Sequence, residues 1–250
     1  MNTLRDTWII YVRQMRPTMY NPTVVLFGML QPVLYLALFA PLLSGMPGAM
    51  GESPWEWFVP GVLAMLGIFT TAFAGFGLLP EIRSGSYERL LATPVSRTAL
   101  LAGRVLRDIT VLLGQALIIM VVMVPLGLRP SPVGLVLGLV LLAVLGLGLG
   151  TLSYLGAMAL KLEYAFATLV QTITMPLILL SGVMLPMDLA PTWLYALSRA
   201  NPVSHVVDAE RALFAGDFTD PSVAIGAAVA VVLAAVALAL GIRAMRRLSV

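Results

Sequence analysis

The sequence predicts an all-α membrane protein, one transmembrane domain over residues 1–250 with six membrane-spanning helices. Its composition supports this class, because 60% of the residues are hydrophobic and only 11% are charged, whereas a soluble domain carries about 25% charged residues. The charges are also clustered, which leaves six long uncharged windows. Each window exceeds the roughly 18 apolar residues that a helix needs to cross a bilayer. A soluble domain of fully buried helices is the alternative.

These windows predict helices and not the strands of a membrane barrel. Inside lipid every backbone polar group must be bonded within the protein, which permits only helices and closed barrels. Apolar runs such as "VGLVLGLVLLAVLGLGLG" lack the alternation of apolar and polar residues that barrel strands show. The predicted spans cover residues 24–43, 58–79, 109–128, 133–155, 166–185 and 221–242.

The basic residues predict how the chain is oriented. If the N-terminus is inside, twelve of the fifteen Lys and Arg residues fall in inner segments. The positive-inside rule then predicts a multi-pass protein whose two termini are both cytoplasmic. The net charge of +3 reflects this topology, and we expect no nucleic-acid partner. The excess of Arg over Lys is typical of GC-rich bacterial genes and favours a bacterial inner membrane.

Residues 1–22 predict an amphipathic helix that lies in the cytoplasmic membrane interface. Leu4, Trp8, Tyr11 and Met15 recur at helical spacing, and such a helix places its aromatic rings at the depth of the lipid headgroups. Membrane lipid is therefore an expected partner. The alternative is a basic tail that has no further role.

The stretch "EIRSGSYERLLATPVSR", residues 81–97, is a charged island between two uncharged spans. It stays in the cytoplasm, because each charge at the bilayer centre costs about 2.5 to 3.5 kcal/mol. Gly85 breaks the chain, Ser86 is the predicted cap of a short helix, and Pro94 ends it. One side of this helix is formed by Tyr87, Leu90 and Leu91.

Such a helix is too short to be stable alone, so we expect a partner to bury its exposed apolar side. The alternative is a surface helix that is bound only to lipid. A second cytoplasmic contact point is predicted at "KLEY", Lys161 to Tyr164, which joins the fourth and fifth spans.

Small residues four apart in the fourth span predict close helix packing. Gly134 is followed by Gly138, and Gly146 by Gly150. In lipid, such pairs let two helix backbones approach each other. Most pairs of this kind pack within one chain, so they do not locate a dimer interface.

Two short amphipathic helices are predicted on the outer side before the sixth span. The first begins near Pro191, and the second has Asn201 as its N-cap, Pro202 at its first position and Gly216 as its stop. They favour a re-entrant or surface-lying lid. A solvated loop that contains helices is the alternative.

The predicted spans contain no Asp, Glu, Lys, Arg or His. A carrier that is driven by an ion gradient needs such a group at membrane depth, so this class is disfavoured. Neutral polar residues in the spans line a translocation path or hydrogen-bond between helices, and the sequence leaves both readings open. The candidates for a path are Gln31, Thr70, Thr71, Gln171, Thr172 and Thr174.

Enzymatic chemistry is also disfavoured, so we expect that the chain is not an enzyme by itself. It contains no GxxxxGK[ST] phosphate loop and no cysteine. His205 is the only histidine, so we expect no metal site. Asp208 and Glu210 are expected to be solvated or salt-bridged, and no nucleophile is paired with a base.

Two stretches resemble type-2 ABC transporter permeases, an exporter family that includes daunorubicin-resistance and polysaccharide-export subunits. The stretch over residues 81–104 is similar to the family's cytoplasmic loop, with Ser86 in place of Thr and Arg104 in place of Lys. The matching residues there are Glu81, Gly85, Glu88, Leu91, Thr93, Pro94, Val95, Ser96, Arg97 and Gly103.

The second stretch is similar to the end of the family's fifth span and its outer helices. The matching residues are Ser181, Gly182, Pro186, Pro191, Asn201, Pro202, Asp208, Arg211 and Gly216. Ser204 and His205 replace a common Thr-Tyr pair, and Glu210 replaces a usual Leu. These departures leave the detailed role of the second outer helix open.

The resemblance implies that the helix over residues 85–94 is a coupling helix, which docks into a separate ATP-binding subunit. ATP and Mg would bind that partner, and this chain would hold no cofactor. A complex of two ATPase subunits and two permease chains, identical or related, is expected. The coupling residues are then Glu81, Gly85, Ser86, Tyr87, Glu88, Arg89, Leu90, Leu91, Pro94, Lys161 and Glu163, and the outer-helix residues are Asn201, Pro202, Asp208 and Arg211.

The uncharged spans favour a lipophilic or amphipathic substrate, such as a drug, an antibiotic or a lipid, which moves out of the cytoplasm or inner leaflet. Only the family resemblance indicates this direction. Export of a lipid-linked glycan is the alternative within the family. An ion-gradient carrier and an intramembrane lipid-modifying enzyme are the alternatives outside it.

Overall fold

The computed structural model describes residues 3–21, 23–44, 54–184 and 186–247, and this part of the chain is all-helical. Three 3-10 turns, over residues 74–77, 124–126 and 187–189, accompany the α-helices. The helices are α1 (Thr3–Tyr20), α2 (Thr23–Ser44), α3 (Pro54–Ala72), α4 (Leu79–Arg83), α5 (Ser86–Leu91), α6 (Arg97–Met123), α7 (Pro132–Leu160), α8 (Glu163–Leu179), α9 (Thr192–Arg199), α10 (Pro202–Ala215) and α11 (Pro221–Arg247).

Four helical stretches are long and apolar enough to cross a membrane: Trp55–Arg83, Arg97–Leu126, Pro132–Leu160 and Pro221–Met245. A fifth candidate consists of α1 and α2 together, which meet at a bend of 70°. The predicted span over residues 166–185 corresponds to α8, which is apolar but only 17 residues long. The described chain therefore has four to five candidate spans, fewer than the six that the sequence predicts.

The fifth predicted span is shortened because α8 ends at Leu179, three residues after its internal Pro176. Pro176 lacks the N–H that would bond to the carbonyl of Thr172, one turn earlier, and so weakens the last turns of the helix. Gly182 then adopts a positive φ of 74°, which turns the chain away. Position 185, the predicted end of this span, lies outside the described residues.

Helix α7 lies at the centre of the bundle and packs against α3, α6, α10 and α11. Its glycines make these contacts close. A Cβ atom on Gly146 would lie 2.9 Å from a methyl group of Leu112, and one on Gly148 would lie 3.2 Å from the backbone nitrogen of Ala234. The small-residue stripe that the sequence predicts as a packing surface is thus used within the chain.

The predicted span over residues 58–79 lies within the stretch Trp55–Arg83 and is interrupted by the 3-10 turn over residues 74–77. Helix α3 ends at Ala72, and a 3-10 turn leads into α4. The hydroxyl of Ser153 on α7 donates to the carbonyl of Ala72 (2.6 Å) and accepts from the backbone N–H of Gly75 (2.9 Å). One side chain therefore satisfies two backbone groups that the break leaves without helical partners.

Helix α1 packs along α6. Ile10 is buried, and a Cβ atom on Gly103 would lie 2.8 Å from the Cβ of Ile10 and from the carbonyl oxygen of Thr7. Ser96 donates its backbone N–H to the carboxylate of Asp6 (3.2 Å). The reading of this segment as a tail without a further role is wrong, because α1 is a packed element of the fold. Its other side is exposed and includes Trp8, of which 61% is accessible.

Two sets of short helices lie at opposite ends of the bundle. Helix α11 shows this directly, because a Cβ on Gly226 near its start would contact the carbonyl of His205 in α10, while Met245 near its end contacts Tyr87 in α5. We refer to these as the α10 end and the α5 end. The α5 end carries the predicted cytoplasmic loop, and the α10 end carries the predicted outer helices.

The helices bury two carboxylates that the predicted spans do not contain, Asp108 on α6 and Glu210 on α10. Asp108 accepts from the hydroxyl of Tyr154 (2.5 Å) and from Arg107 (2.7 Å). The prediction that Glu210 is solvated or salt-bridged is wrong, because its side chain is enclosed between α10 and α7 and has no hydrogen-bond partner among the described residues. Asp208, for which the same was predicted, does form an ion pair with Arg199 at 2.8 Å.

Candidate functional site

The candidate site is the short helix α5 together with the segments that hold it. The chain turns into α5 at Gly85, whose φ of 68° is a conformation that glycine adopts without strain. Gly85 is itself the N-cap residue, so the prediction of Ser86 as the cap is wrong by one position. The Ser86 hydroxyl instead donates to the carbonyl of Glu81 (3.2 Å). Helix α5 ends at Leu91, three residues before Pro94, as the sequence predicts.

One side of α5 is built into the core of the chain. Only 6% of Tyr87 is exposed, and its hydroxyl donates to the sulfur of Met158 on α7 (3.4 Å) and of Met245 on α11 (3.7 Å). Leu91 packs against the same cluster of buried residues. The prediction that Tyr87 belongs to an exposed apolar face is therefore wrong, because α7 and α11, which are distant in sequence, cover this residue. Burial also raises the pKa of the Tyr87 hydroxyl, against the opposing charge of Arg104.

The other side of α5 is exposed, and its character is polar. Glu88 and Arg89 project from the helix, and Ala92, Thr93 and Pro94 continue this surface after its end. The hydroxyl of Thr93 donates to the carbonyl of Leu90 (2.6 Å), which holds the turn. A protein that binds at this end of the bundle would contact the charged groups of Glu88 and Arg89 and the hydroxyl group of Thr93.

Glu81 anchors the segment that precedes α5. Its carboxylate accepts from Nη2 of Arg104 on α6 (2.5 Å) and from Nε2 of Gln14 on α1 (3.3 Å). The guanidinium of Arg104 also lies 5.9 Å from the centre of the Tyr87 ring. One carboxylate thus joins α4, α6 and α1. The sequence identifies Glu81 as a site residue but gives no sign of its pairing with Gln14.

The second predicted contact segment lies beside the first. Nη2 of Arg83 is 3.1 Å from Oε1 of Glu163, the first residue of α8. Lys161 closes α7 with a φ of 57°, an unusual conformation for a residue with a side chain. The structure therefore places Glu163 against the α4 segment, while the side chains of this ion pair stay largely exposed, at 67% and 44%.

The predicted outer-helix residues form a second connected group at the α10 end. Asn201 is the N-cap of α10, as predicted: its side chain accepts from the N–H of Val203 (3.0 Å) and donates to the carbonyl of Leu177 on α8 (2.7 Å). Pro202 is the first helical residue, and Gly216 ends the helix with a φ of 81°. These signals are local, and the structure follows them.

Arg211 connects α10 to two other segments. Its guanidinium donates to the carbonyls of Trp57 (3.1 Å) and Gly182 (2.7 Å) and lies 3.8 Å from the centre of the Trp57 ring. Its neighbour Asp208 pairs with Arg199 of α9. A polar cleft of about 710 Å³ opens between these helices and the start of α11. In the part of the chain that the structure describes, no three His, Asp or Glu side chains are grouped so that they could hold a metal ion.

Comparison with known families decides what this arrangement is. The family described as "ABC-2 type transporter" matches residues 5–215, a range that contains both α5 and α10. The chain belongs to the ABC-2 type transporter family. Members of this family are multi-pass membrane subunits of ABC transporters. They work with separate ABC ATPase subunits.

Individual relatives of this ABC-2 permease are distant but match most of its length. The daunorubicin resistance ABC transporter permease DrrB1 of Streptomyces coeruleorubidus is 27% identical over 226 residues, or 86% of this chain and 75% of DrrB1. The transport permease ycf38 of Cyanophora paradoxa is 27% identical over 221 residues, or 84% of this chain and 74% of ycf38. The multidrug ABC transporter permease YbhR of Escherichia coli (strain K12) is 26% identical over 166 residues, or 65% and 45%.

The predicted path residues of the ABC-2 permease differ in their exposure. Gln31 on α2 and Gln171 and Thr172 on α8 are exposed at the surface of the bundle. The hydroxyl of Thr70 donates to the side chain of Gln115 (2.8 Å), and that of Thr71 donates to the carbonyl of Gly67 (2.7 Å). Thr174 is buried. Thr70 and Thr71 thus form the hydrogen bonds within and between helices that the sequence left open as the alternative to a translocation path.

Proposed function

We propose that this chain is the membrane-spanning subunit of an ATP-driven exporter, in which α5 receives movement from a separate ATPase subunit. The observation that carries the proposal is the two-sided character of α5. Tyr87 fixes its inner side to α7 and α11, and Glu88 and Arg89 leave its outer side free to bind. A displacement of the exposed side is therefore transmitted to the centre of the bundle.

The surrounding ion pairs extend this coupling unit. Glu81 carries a displacement of α4 to α6 and α1, and the Arg83–Glu163 pair carries it to α8. We propose that the ATPase contacts both loops through this unit. The ATP and Mg sites belong to that partner, because the chain contains no phosphate-binding loop.

We propose further that two copies of this chain, or this chain and a related one, pair in the membrane and bind two ATPase subunits. Gln31, Gln171 and Thr172 support pairing, because polar side chains on a surface that faces lipid are unfavourable unless a protein partner covers them. Covered in this way, the three residues would line the path between the two chains. Thr70, Thr71 and Thr174 would then be packing residues.

The proposed topology has six spans, both termini in the cytoplasm and the bacterial inner membrane as its location. In this arrangement α8 is a short fifth span, α1 lies in the inner interface, and α9 and α10 enter the outer leaflet. The 70° bend between α1 and α2 and the exposed Trp8 support the interface position. The exposed apolar residues Trp193 and Leu197 of α9 support contact with lipid at the outer side.

The proposed substrate is lipophilic or amphipathic, such as a drug, an antibiotic or a lipid, and it moves outward. The names of DrrB1 and YbhR, which refer to daunorubicin resistance and multidrug transport, favour this class. Export of a lipid-linked glycan remains the alternative within the family.

The test is transport by the chain with its ATPase in liposomes, with a fluorescent cationic drug as the probe. Glu88→Ala and Arg89→Ala should each abolish ATP-dependent uptake into inside-out vesicles while the protein still inserts and keeps its thermal midpoint, because both side chains are exposed. Arg129→Ala, which removes an exposed charge from the other end of the bundle, is the matched control and should transport normally. Normal transport by both α5 variants would show that α5 is not the coupling helix. Transport that continues without ATP would overturn the proposed energy source.

A further inference from the structure

Glu210 is a buried acid that the proposed function does not use. It lies in the second half of α10, only 1% of it is exposed, and neither oxygen of its carboxyl group has a hydrogen-bond partner within the described chain. Buried polar groups are normally paired, so an orphan carboxyl needs an explanation. It also stands where the resemblance to the family leads one to expect Leu.

The carboxyl group points at a gap in α7 that a glycine creates. A Cβ atom on Gly138 would lie 2.6 Å from Oε2 of Glu210 and 3.1 Å from the ring of Phe214. Gly134 lies one turn before Gly138 on α7. The backbone of α10 at Leu213 comes so close to Gly134 that a side chain on Gly134 would overlap the carbonyl group of Leu213. The two helices therefore enclose the carboxyl group without space for another side chain.

The helices that pack against α10 are α3, α7, α9 and α11, and none of their charged side chains that the structure describes compensates Glu210. Helix α7 contains no charged residue. The arginines of α11 lie at its other end, near Met245, and Arg199 of α9 pairs with Asp208. Arg211 bonds to backbone carbonyls of other segments. The charged and titratable groups on these elements are Glu56, Tyr154, Tyr195, Arg199, His205, Asp208, Arg211, Arg243, Arg246 and Arg247, and none that the structure describes forms an ion pair with Glu210.

An ionised carboxylate in this position would be strongly unfavourable, because it has lost water and gained no partner. Burial alone raises the pKa of Glu210 well above its ordinary range. The protonated form is neutral and fits the apolar contact with Gly138 and Phe214. The closed packing of α10 on α7 and the ionised form of Glu210 therefore exclude each other.

We propose that Glu210 is a proton-binding site, which holds a proton while α10 is packed on α7 and releases it when this contact opens. Movement of the helices at the α10 end is then linked to the pH on their side of the membrane. The inference concerns the packing of two helices, so it does not depend on the proposed transport function. Acidic conditions favour the closed arrangement, and alkaline conditions favour the open one.

The direction of the effect on stability follows from the raised pKa. A buried Glu210 contributes fully to stability below the ordinary glutamate pKa of about 4.3, and this contribution is lost as the pH rises toward the pKa in the folded state. A glutamine at position 210 is uncharged at every pH and has the same shape. The wild-type chain should therefore become progressively less stable than Glu210→Gln as the pH increases.

The experiment compares thermal midpoints of the purified full chain in detergent micelles between about pH 4.5 and about pH 8.5. We expect the midpoint of the wild type to fall relative to that of Glu210→Gln by on the order of 4 °C across this range. Glu56→Gln, the same change on a partly exposed glutamate of α3, should follow the wild type at every pH. If Glu210→Gln does not fold, Glu210→Leu replaces it, because leucine suits the apolar site.

Infrared difference spectra test directly whether the carboxyl group of Glu210 is protonated. At neutral pH the wild type should show the C=O band of a protonated carboxyl group, which is absent from Glu210→Gln and retained in Glu56→Gln. Gly138→Ala, whose added methyl group displaces the carboxyl, should make this band disappear at a lower pH. A midpoint difference that does not change with pH, together with wild-type and Glu210→Gln spectra that are identical in this region, would overturn the proposal.

Discussion

Nη2 of Arg104 lies 2.5 Å from Oε2 of Glu81, and only 4% of the arginine side chain is exposed. The pair connects the segment that leads into α5 with the long helix α6, at a position where water has little access to the arginine. The glutamate side chain is 22% exposed and also binds Gln14. Arg104 therefore depends on this ion pair more than Glu81 does.

This inequality predicts unequal effects of the two single substitutions. Glu81→Ala should lower the free energy of unfolding by about 3 kcal/mol, because it leaves a buried guanidinium without its partner. Arg104→Met should cost less, since Glu81 keeps Gln14 and can reach water. The double variant should be more stable than the sum of the single effects predicts. Unfolding in micelles measures all three variants, and strictly additive losses would contradict the coupling.

The Arg83–Glu163 pair predicts an effect on function without an effect on stability. Both side chains are largely exposed, so the pair contributes no more than about 1 kcal/mol to folding. Arg83→Glu should leave the thermal midpoint unchanged but reduce the ATPase stimulation that the transported drug produces, because α4 and α8 then repel each other. The charge swap of Arg83→Glu with Glu163→Arg should restore stimulation. A swap that remains inactive would show that the ATPase recognises these charges directly and that their pairing is not needed.

Some of this architecture could be predicted because its signals are local. Asn201, Pro202 and Gly216 mark the ends of α10 by the conformations that their own backbones and side chains favour. Gly85 breaks the chain before α5 for the same reason. The absence of charge in the long windows likewise predicts the apolar helices without reference to tertiary contacts.

The parts that the sequence misses depend on residues far along the chain. Tyr87 is covered by Met245, which lies 158 positions later, and the break after α3 is held by Ser153, which lies 81 positions after Ala72. Glu210 is buried because Gly138 lies opposite it. Helical periodicity describes one element at a time, so it cannot predict which element covers a given side.

The close packing of α1 on α6 predicts that two glycines of α6 tolerate substitution differently. A Cβ atom on Gly103 would lie 2.8 Å from both Ile10 and the backbone of Thr7, whereas one on Gly114 would have no neighbour within 4 Å. Gly103→Ala should cost about 2 kcal/mol and make the peptide bond after Arg13 cleavable by trypsin, because α1 separates from α6 and loses its packed helical structure. Gly114→Ala should be neutral or slightly stabilising, because alanine favours the helix. Equal trypsin sensitivity of the two variants would show that α1 is held by other contacts.

Arg211 predicts a site where arginine cannot be replaced by lysine. Its planar guanidinium bonds to the carbonyls of Trp57 and Gly182 at the same time and stacks on the Trp57 ring at 3.8 Å. A lysine ammonium group cannot reproduce this fork and stacked plane. Arg211→Lys should therefore destabilise the chain by about 2 kcal/mol, the contribution of a hydrogen bond to a charged group. Arg129→Lys is the matched control on an exposed arginine and should leave the thermal midpoint unchanged. If Arg211→Lys also leaves it unchanged, the charge alone holds α10 to α3, and the geometry of the guanidinium is not required.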